Sequence, residues 1–351
     1  MCKEQGLAQR GHAMHGIRVL PVEDIRELIK KVGLKEFMLK LLDQLEKDYS
    51  RWDEFYKTPR HASYYPQGVI ELMPITDKNY YAFKLVNGHP DNPKVHKLTV
   101  IATGMLAVAS TGYPILISEM TILTAIRTGV TSAMASKYLV KKNVKNFGII
   151  GTGAQSEFQA IAHHYILGVK EIYYFDIDPH AMEKFAANLK PLGLNLHPCK
   201  DAKSVVEKCD IVTTATAENG YHKVILESWV KPGTHINAIG GDSPGKTELD
   251  PALVRKCKIY VENFEQTKVE GEIQLLKPPK IFAELWELVT KKKEGRKTDE
   301  EITLYDSVGF AIEDYSILRL IYALSEEYKL GHLMGMIPDA KDPKDLFSFL
   351  K

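Results

Sequence analysis

Two glycines and a later acid suggest the clearest chemistry in this sequence. Gly151 and Gly153 follow the apolar segment Phe147–Ile150, which predicts a buried strand. Apolar residues at helical spacing come next, and a second apolar segment, Ile172–Phe175, ends at Asp176. In such a strand–turn–helix–strand unit, the glycines let the backbone approach a pyrophosphate, and the helix N-terminus attracts its charge. The pattern therefore predicts a dinucleotide site.

The acid that closes the second strand indicates which dinucleotide is bound. A carboxylate in this place accepts hydrogen bonds from the ribose hydroxyls and repels a 2′-phosphate, so Asp176 favours NAD over NADP. The complete fingerprint has a third glycine, where this chain has Ser156. An ordinary strand–helix–strand unit with a glycine turn is therefore the alternative interpretation.

Three basic residues in the first third of the chain could bind an anion. Lys84 lies within the apolar run Tyr80–Val86, and Arg127 has apolar neighbours. A cation in such a setting either extends to solvent or meets an anion. Each residue alone is more often structural or on the surface. Together with Arg60, they would suit a substrate carboxylate, which arginine binds through two hydrogen bonds.

An acid on a glycine turn is the second candidate for catalysis. Asp242 follows Gly240 and Gly241 directly after the predicted strand His235–Ile239. Ligands of parallel sheets bind outside the carboxyl ends of the strands, so this carboxylate should face a cofactor cleft. There it could bind an ammonium group or move a proton. An Asx turn or a helix cap explains its position equally well.

The first part of the chain predicts an α+β unit with a largely antiparallel sheet. Val22–Lys47 has helical periodicity on both sides of Gly33, which predicts two helices. Alternating apolar residues predict strands over 69–73 and 80–86, joined by a polar turn, and a further pair over 98–108 and 115–117. Ser118 is predicted to cap the helix that follows, over about 120–140.

The central part alternates strands and helices and predicts a doubly wound parallel sheet of Rossmann type. Beyond the glycine unit, strands are expected over 210–214, 235–239 and 258–261, with helices over 181–189, 202–208 and 251–256. A final helix over about 312–328 would return the chain to the first unit. The fold class is therefore α/β, with a Rossmann-type NAD domain and a separate α+β domain.

Composition excludes several classes of protein. The formal net charge is +1, with 44% hydrophobic and 26% charged residues, so we expect neither a nucleic-acid partner nor a membrane partner. The four cysteines form no C-x-x-C pair, which indicates reduced thiols in the cytoplasm and no metal site. The basic run 291–297 is expected to be a solvated loop. Residues 1–17 are expected to be a disordered extension.

Several stretches together resemble the ornithine cyclodeaminase/μ-crystallin family. The resemblance runs from about Arg18 to Lys351 and is carried by these segments: VIELMP (69–74), YAFKLVNGHP (81–90), TGYPILISEMT (111–121), AIRTGVTS (125–132), IGTGAQSEFQA (150–160), AIGGDSPGKTEL (238–249), EGEIQ (270–274) and DSVGFAIEDY (306–315). The VNGHP and GGDSPGKTEL runs are much more specific than the glycine turn.

The resemblance implies a domain organisation and an assembly. Residues 18–127 together with 313–351 would form a substrate-binding and dimerisation domain. Residues 128–312 would form the NAD-binding Rossmann domain. The expected assembly is a homodimer, and the expected location is the cytoplasm.

The resemblance also implies roles for individual residues. Arg60, Lys84 and Arg127 would hold the α-carboxylate of the amino-acid substrate L-ornithine. Asp242 would bind its distal amine and act in catalysis, and Glu71 would shape the same catalytic pocket. The cofactor NAD would be held by Thr99, Gly151, Gly153, Ala154, Gln155, Asp176, Thr216, Lys246 and Ser307.

The implied reaction converts L-ornithine to L-proline and ammonia. NAD takes a hydride from Cα, the neutral distal amine attacks the resulting imine, ammonia leaves, and the hydride returns. Other members of the family suggest alternatives, namely lysine cyclisation, amino-acid dehydrogenation or ketimine reduction. A μ-crystallin-like binding protein is a further alternative. The residues alone do not separate ornithine from lysine, because one methylene changes pocket affinity only modestly.

Overall fold

Two eight-stranded β-sheets organise the chain, and a computed structural model describes residues 16–218 and 220–351. The predicted extension therefore lies almost entirely outside the described residues. Ile17, expected to be its last residue, is the first residue of a strand. Among residues 16–218 and 220–351, no helix is long and apolar enough to span a membrane.

The first sheet is built mainly from the N-terminal part of the chain. Its elements in order are β1 (Ile17–Leu20), α1 (Val22–Val32), α2 (Leu34–Ser50), β2 (Tyr56–Lys57), β3 (His61–Tyr65), β4 (Gly68–Thr76), β5 (Tyr80–Gly88), β6 (Val100–Val108), β7 (Pro114–Glu119) and α3 (Thr121–Leu139). The two helices on either side of Gly33 and the predicted strand pairs are confirmed. Apart from the parallel pair β1–β7, neighbouring strands of this sheet are antiparallel.

The second sheet is parallel throughout and is formed by the central part of the chain. Its elements and their connections are β8 (Asn146–Ile150), α4 (Ser156–Leu167), β9 (Glu171–Phe175), α5 (Pro179–Leu189), β10 (Asn195–Pro198), α6 (Ala202–Lys208), β11 (Ile211–Thr214), β12 (Tyr221–Ile225), β13 (His235–Ala238), β14 (Thr247–Leu249), α7 (Pro251–Lys256), β15 (Lys258–Val261), α8 (Phe264–Glu270), β16 (Ala283–Glu284), α9 (Leu285–Val289) and β17 (Thr303–Asp306). The strand order is β10-β9-β8-β11-β13-β17-β15-β16, while β12 and β14 form a separate pair.

The burial of the strands in this second sheet is typical of a parallel sheet. All four residues of β11, β13 and β17 are buried, as expected for strands that helices cover on both faces. The Rossmann-type sheet predicted from the glycine unit is thus confirmed.

The chain then returns to the first sheet. A long helix, α10 (Ala311–Tyr328), packs against α2, α3 and β5, and β18 (His332–Met334) pairs with β1. Ile317, Leu318 and Ile321 on α10 are fully buried. Helices α3 and α10 therefore connect the two sheets, and the first turn of α10 lies where the sheets meet.

One local prediction was wrong. Ser118 is a residue of β7 and its hydroxyl donates to the carbonyl of Glu119, so it does not cap α3. The cap is instead the Glu119 carboxylate, which accepts the Ile122 N–H at 2.9 Å. The basic run 291–297 is mostly exposed, as expected of a solvated loop, although the half-buried Arg296 donates to the carbonyls of Leu139 and Glu301.

Candidate functional site

Lys84 and Arg127 meet at one carboxylate in the first turn of α10. The Lys84 Nζ lies 2.9 Å from Oδ1 of Asp314, and the Arg127 Nε lies 3.1 Å from the same oxygen. All three side chains are buried. Lys84 comes from β5 and Arg127 from α3, so the fold brings together cations that are 43 residues apart. A second anion that approached this pair would meet two preformed positive charges.

Glu313, the neighbour of Asp314, binds a second nitrogen of the Arg127 guanidinium. Arg127 Nη1 lies 2.5 Å from Glu313 Oε2, and the Tyr49 hydroxyl donates to Oε1. Burial lowers the pKa of Lys84 to about 8, and the nearby Arg127 adds to this shift. Burial also raises the pKa of Glu313, although Arg127 opposes the rise. Because the cluster is shielded from water, the pKa values of Lys84 and Glu313 respond strongly to any further charge nearby.

Arg60 reaches the same place from the opposite side. Its Nη1 lies 2.9 Å from Glu71 Oε2, and its Nη2 donates to the carbonyl of Gly309 at 2.7 Å. Gly309 has φ 75°, and a Cβ there would lie 2.6 Å from Nη1 of Arg127. Only glycine therefore fits between the two guanidinium groups. The structure brings Arg60, Lys84 and Arg127 together around this loop, as the sequence predicted.

Asp242 lies at the exposed side of the cluster. Its side chain is 51% exposed, and Oδ1 is 3.1 Å from Nζ of the largely buried Lys246. The next element along the chain is β14, so in the described part of the chain Asp242 caps no helix. Its carboxylate lies near enough to Arg60 to help raise the pKa of that guanidinium, against the larger lowering effect of burial. Its ion pair therefore lies within its own turn, while its charge also reaches Arg60.

A further carboxylate, Glu270, belongs to this site and was missed. Its Oε2 lies 3.2 Å from Nε of Arg60, and both residues line a pocket of about 240 Å³ between β3 and α8. Burial raises the pKa of Glu270 to about 7, against the opposing pull of Arg60. Glu71 and Asp242 add to the rise. The signal was available, because Glu270 begins the EGEIQ segment.

The glycine turn has the form expected of a dinucleotide cradle. Gly151 has φ 94°, and a Cβ there would lie 2.5 Å from the carbonyl oxygen of Ala215. Gly153 and Ala154 are exposed at the tip of the turn, where a Cβ on Gly153 would meet no atom within 4 Å. Asp176 accepts the Thr152 N–H at 2.5 Å, so its carboxylate lies against the turn. These residues fit NAD.

The remaining predicted cofactor residues lie on several separate loops. Thr216 donates through its N–H and its hydroxyl to Glu248, and the Ser307 hydroxyl donates to Glu262. Gln155 donates to the Ala125 carbonyl. Thr99 lies at the outer end of the β5–β6 pair, where its carbonyl accepts the His89 N–H. No hydrogen bond between described residues joins Thr99 to the other predicted site residues.

We expect Asp176→Ala to weaken NAD binding and to narrow the preference for NAD over NADP. The substitution removes the carboxylate that would accept the ribose hydroxyls and would repel a 2′-phosphate. Fluorescence titration with both cofactors measures the two dissociation constants. Asp178→Ala, which removes only the cap of α5, is the matched control. An unchanged preference in Asp176→Ala would mean that the acid does not contact the ribose.

Comparisons with known proteins identify the family of this chain. The chain matches the model of the Ornithine cyclodeaminase/mu-crystallin family over residues 22–329. It is 44% identical over 341 residues to an ornithine cyclodeaminase of Agrobacterium fabrum (strain C58), with 96% of each chain covered.

Two solved structures share the whole fold. A lysine cyclodeaminase, described with L-lysine, L-ornithine and L-2,4-diaminobutyric acid, has a TM-score of 0.89 at 28% identity and covers 95% of this chain and 99% of its own. An archaeal alanine dehydrogenase dimer with bound NAD has a TM-score of 0.84 at 31% identity, with 92% and 99% covered. The chain therefore belongs to the ornithine cyclodeaminase/μ-crystallin family.

Proposed function

We propose that this protein is an ornithine cyclodeaminase, which converts L-ornithine to L-proline and ammonia with NAD as a recycled cofactor. The observation that carries the proposal is the charge pattern around the Gly309 loop. Three cations, Arg60, Lys84 and Arg127, gather there, Glu270 is paired with Arg60, and the half-exposed Asp242 lies near enough to Arg60 and Glu270 to shift their pKa values. An amino acid with a second, distal amine carries the complementary charges at its two ends.

The cations would bind the α-carboxylate of the substrate. The fork of a guanidinium matches a carboxylate through two hydrogen bonds, and Lys84 supplies a point charge beside it. The low dielectric of the buried cluster strengthens these contacts. The substrate carboxylate would share Lys84 and Arg127 with Asp314, which already holds both in position.

The carboxylates would bind and deprotonate the distal amine. When bound, NAD supplies hydride abstraction from Cα and later hydride return. Asp242 would accept a proton from the distal ammonium, because only the neutral amine can attack the Cα imine. Ring closure would then expel the α-nitrogen as ammonia. Lys246, 3.1 Å from Asp242, would hold the carboxylate in place.

Lysine cyclodeaminase is the second candidate. Its support is the fold shared with a lysine cyclodeaminase at 28% identity, against 44% identity with an ornithine cyclodeaminase. Discrimination over one methylene is worth only about 1–3 kcal/mol, so both substrates belong in the test.

Product analysis with labelled L-ornithine and L-lysine tests the proposal. We expect labelled proline and equimolar ammonia from ornithine, a requirement for only catalytic NAD, and no accumulation of NADH. Stoichiometric release of NADH would contradict the proposal and would favour an amino-acid dehydrogenase. Faster formation of the six-membered ring product from lysine would support the second candidate.

We expect the kcat/KM for ornithine to fall as the pH is lowered below about 7. Burial raises the pKa of Glu270 to about 7, so this carboxylate gains a proton and loses its attraction for an ammonium group below that pH. The fall should approach roughly tenfold per pH unit for a single ionisation. Glu270→Gln should remove this acidic limb, with the basic limb as an internal control. An unchanged acidic limb would assign it to another group.

We also propose a homodimer formed through the outer face of the antiparallel sheet. Alternate residues of neighbouring strands point to this face, and Ile70, Tyr81, Leu85 and Ile101 are all exposed there. An exposed apolar face of this kind marks an interaction site. The related archaeal alanine dehydrogenase was solved as a dimer. Sedimentation equilibrium should give twice the chain mass of 39.6 kDa.

The domain division and the location complete the proposal. We propose that residues 18–127 with 313–351 and residues 128–312 form the two domains, and that α3 and α10, which contain both boundaries, connect them. A cytoplasmic location is supported by Cys199, Cys209 and Cys257, which are free thiols.

A further inference from the structure

Three buried carboxylates under the Asp242 turn form a ladder in which each acid holds the segment that carries the next. Asp306, at the end of β17, accepts the N–H groups of Glu272 and Ile273, both at 2.9 Å. Glu272 in turn accepts the N–H groups of Glu248 and Leu249, at 2.7 and 3.1 Å. The ladder thus extends from β17 of the parallel sheet to β14.

Glu248 is the last member of this ladder and joins two loops. Its Oε1 accepts the N–H of Thr216 at 2.7 Å and the Thr216 hydroxyl at 2.5 Å. Its Oε2 accepts the N–H of Gly240 at 3.1 Å. The first loop follows β11, and the second follows β13 and carries Asp242. The side chain therefore ties a predicted cofactor loop to the predicted catalytic turn.

The donors around Glu248 favour an ionised carboxylate, although burial raises the pKa of this group. Every group that faces Glu248 in these bonds is an N–H or O–H donor, and a carboxylate has only acceptors. Glu248 is 1% exposed, so water cannot replace a lost partner at low cost. Such charge-assisted bonds are about twice as strong as neutral ones.

The two glycines before Asp242 are explained by these acids. A Cβ on Gly240 would lie 2.2 Å from Glu248 Oε1, and a Cβ on Gly241 would lie 2.7 Å from Glu272 Oε1. Neither glycine is among the described residues with positive φ, so the turn does not need them for its backbone conformation. They provide room for the carboxylates. The Gly240-Gly241 pair in the sequence is therefore explained by the space that these buried carboxylates occupy.

We propose that Glu248 is a positioning residue, which fixes the Asp242 turn against the Thr216 loop so that the reacting end of the substrate and the cofactor are held in register. The proposal rests on the proposed function for the roles of Asp242 and Thr216. Glu248 itself is buried and would act through these two loops rather than through contact with a ligand. Its contribution is the alignment of two loops, for which misplacement by about 1 Å can cost roughly 10²-fold in rate.

Glu248→Gln is the first test. Glutamine keeps the size but presents an NH2 group to N–H donors, so one loop must move. We expect kcat for ornithine to fall roughly 10²-fold, NAD affinity to weaken, and the KM for ornithine to change little. The KM should stay near the wild-type value, because the predicted carboxylate-binding residues Lys84 and Arg127 lie on β5 and α3 and are held by Asp314.

Asp77→Asn is the matched control. Asp77 is also a buried acid that accepts backbone N–H groups, those of Asn79 and Tyr80, but it lies in the β4–β5 turn. This variant should lose thermal stability and keep kcat, KM and NAD affinity. If Glu248→Gln shows only the same loss of stability, or normal turnover, the positioning role is wrong.

Gly240→Ala disturbs the contact between position 240 and the Glu248 carboxylate by a change at position 240. It is the second test if Glu248→Gln does not fold. The added methyl group should displace the Glu248 carboxylate and lower kcat in the same way. In a double-mutant cycle with Glu248→Ala, the two effects should be strongly non-additive. Additive effects would overturn the proposal. A wild-type protein that makes no proline would refute the proposed function. The positioning role of Glu248 would still be tested by NAD affinity, which must fall in Glu248→Gln and stay unchanged in Asp77→Asn.

Discussion

Replacement of Asp242 by asparagine is expected to lower the turnover of L-ornithine by about 10²–10⁴-fold, the usual cost of a lost acid–base group. Asparagine keeps the size of the side chain and some hydrogen bonding but removes its charge and basicity. The distal ammonium would then keep its proton and could not attack the imine. Folding should change little, because the side chain is 51% exposed. NAD affinity should fall much less than turnover, because Asp242 would not contact NAD and the change removes only its ion pair with Lys246.

Steady-state turnover, NAD titration and circular dichroism measure these effects together. Asp250→Asn is a matched control, since Asp250 lies nearby in the same domain and caps α7 through the Ala252 N–H. The control should lose a little stability and keep its activity. Near-normal turnover in a folded Asp242→Asn protein would remove Asp242 from the mechanism. A variant that fails to fold would instead show that the carboxylate maintains the turn.

Arg127→Leu is expected to raise the KM for ornithine strongly and also to destabilise the fold. The sequence alone suggests a clean binding variant that leaves the fold intact. The structure changes this expectation, because the Arg127 guanidinium is buried against Glu313 and Asp314. Its removal leaves two buried carboxylates short of a partner, which typically costs about 3–5 kcal/mol in the free energy of unfolding.

Arg127→Lys separates binding from stability. Lysine keeps the charge beside the two acids but loses the planar fork that binds a carboxylate through two hydrogen bonds. We therefore expect a folded protein with a raised KM, measured by steady-state kinetics beside thermal unfolding. Arg319→Lys is the control, because Arg319, in the middle of α10, makes an ion pair at 3.0 Å with the buried Asp48 of α2. An unchanged KM in Arg127→Lys would exclude a forked carboxylate contact.

The sequence by itself determined the elements whose signals are local. Apolar periodicity defined the helices on either side of Gly33, and the glycine turn followed by Asp176 defined the Rossmann-type unit. These features depend on residues within a few turns of one another, so the sequence reports them directly. The resemblance to a family also identified Arg60, Lys84 and Arg127 as a group, and the structure brings them together.

The tertiary structure alone decided which groups face those residues. Asp314 is 230 residues from Lys84 and 187 residues from Arg127, and no local pattern reveals that both cations meet one carboxylate oxygen. The same is true of Glu270 beside Arg60. Ion pairs between distant segments arise from the packing of α10 and α8 against the first sheet, which the periodicity of any single segment does not specify.

Glu248 shows the same limit most clearly. The sequence places it in a distinctive run after Gly240, but no local pattern assigns it a role. Only the folded chain shows that its carboxylate accepts N–H groups from two loops and occupies the space that a side chain at position 240 would need. Local sequence therefore set the elements and the types of charged groups. Long-range packing set their partners, because a buried charge is stable only where distant segments supply its hydrogen bonds.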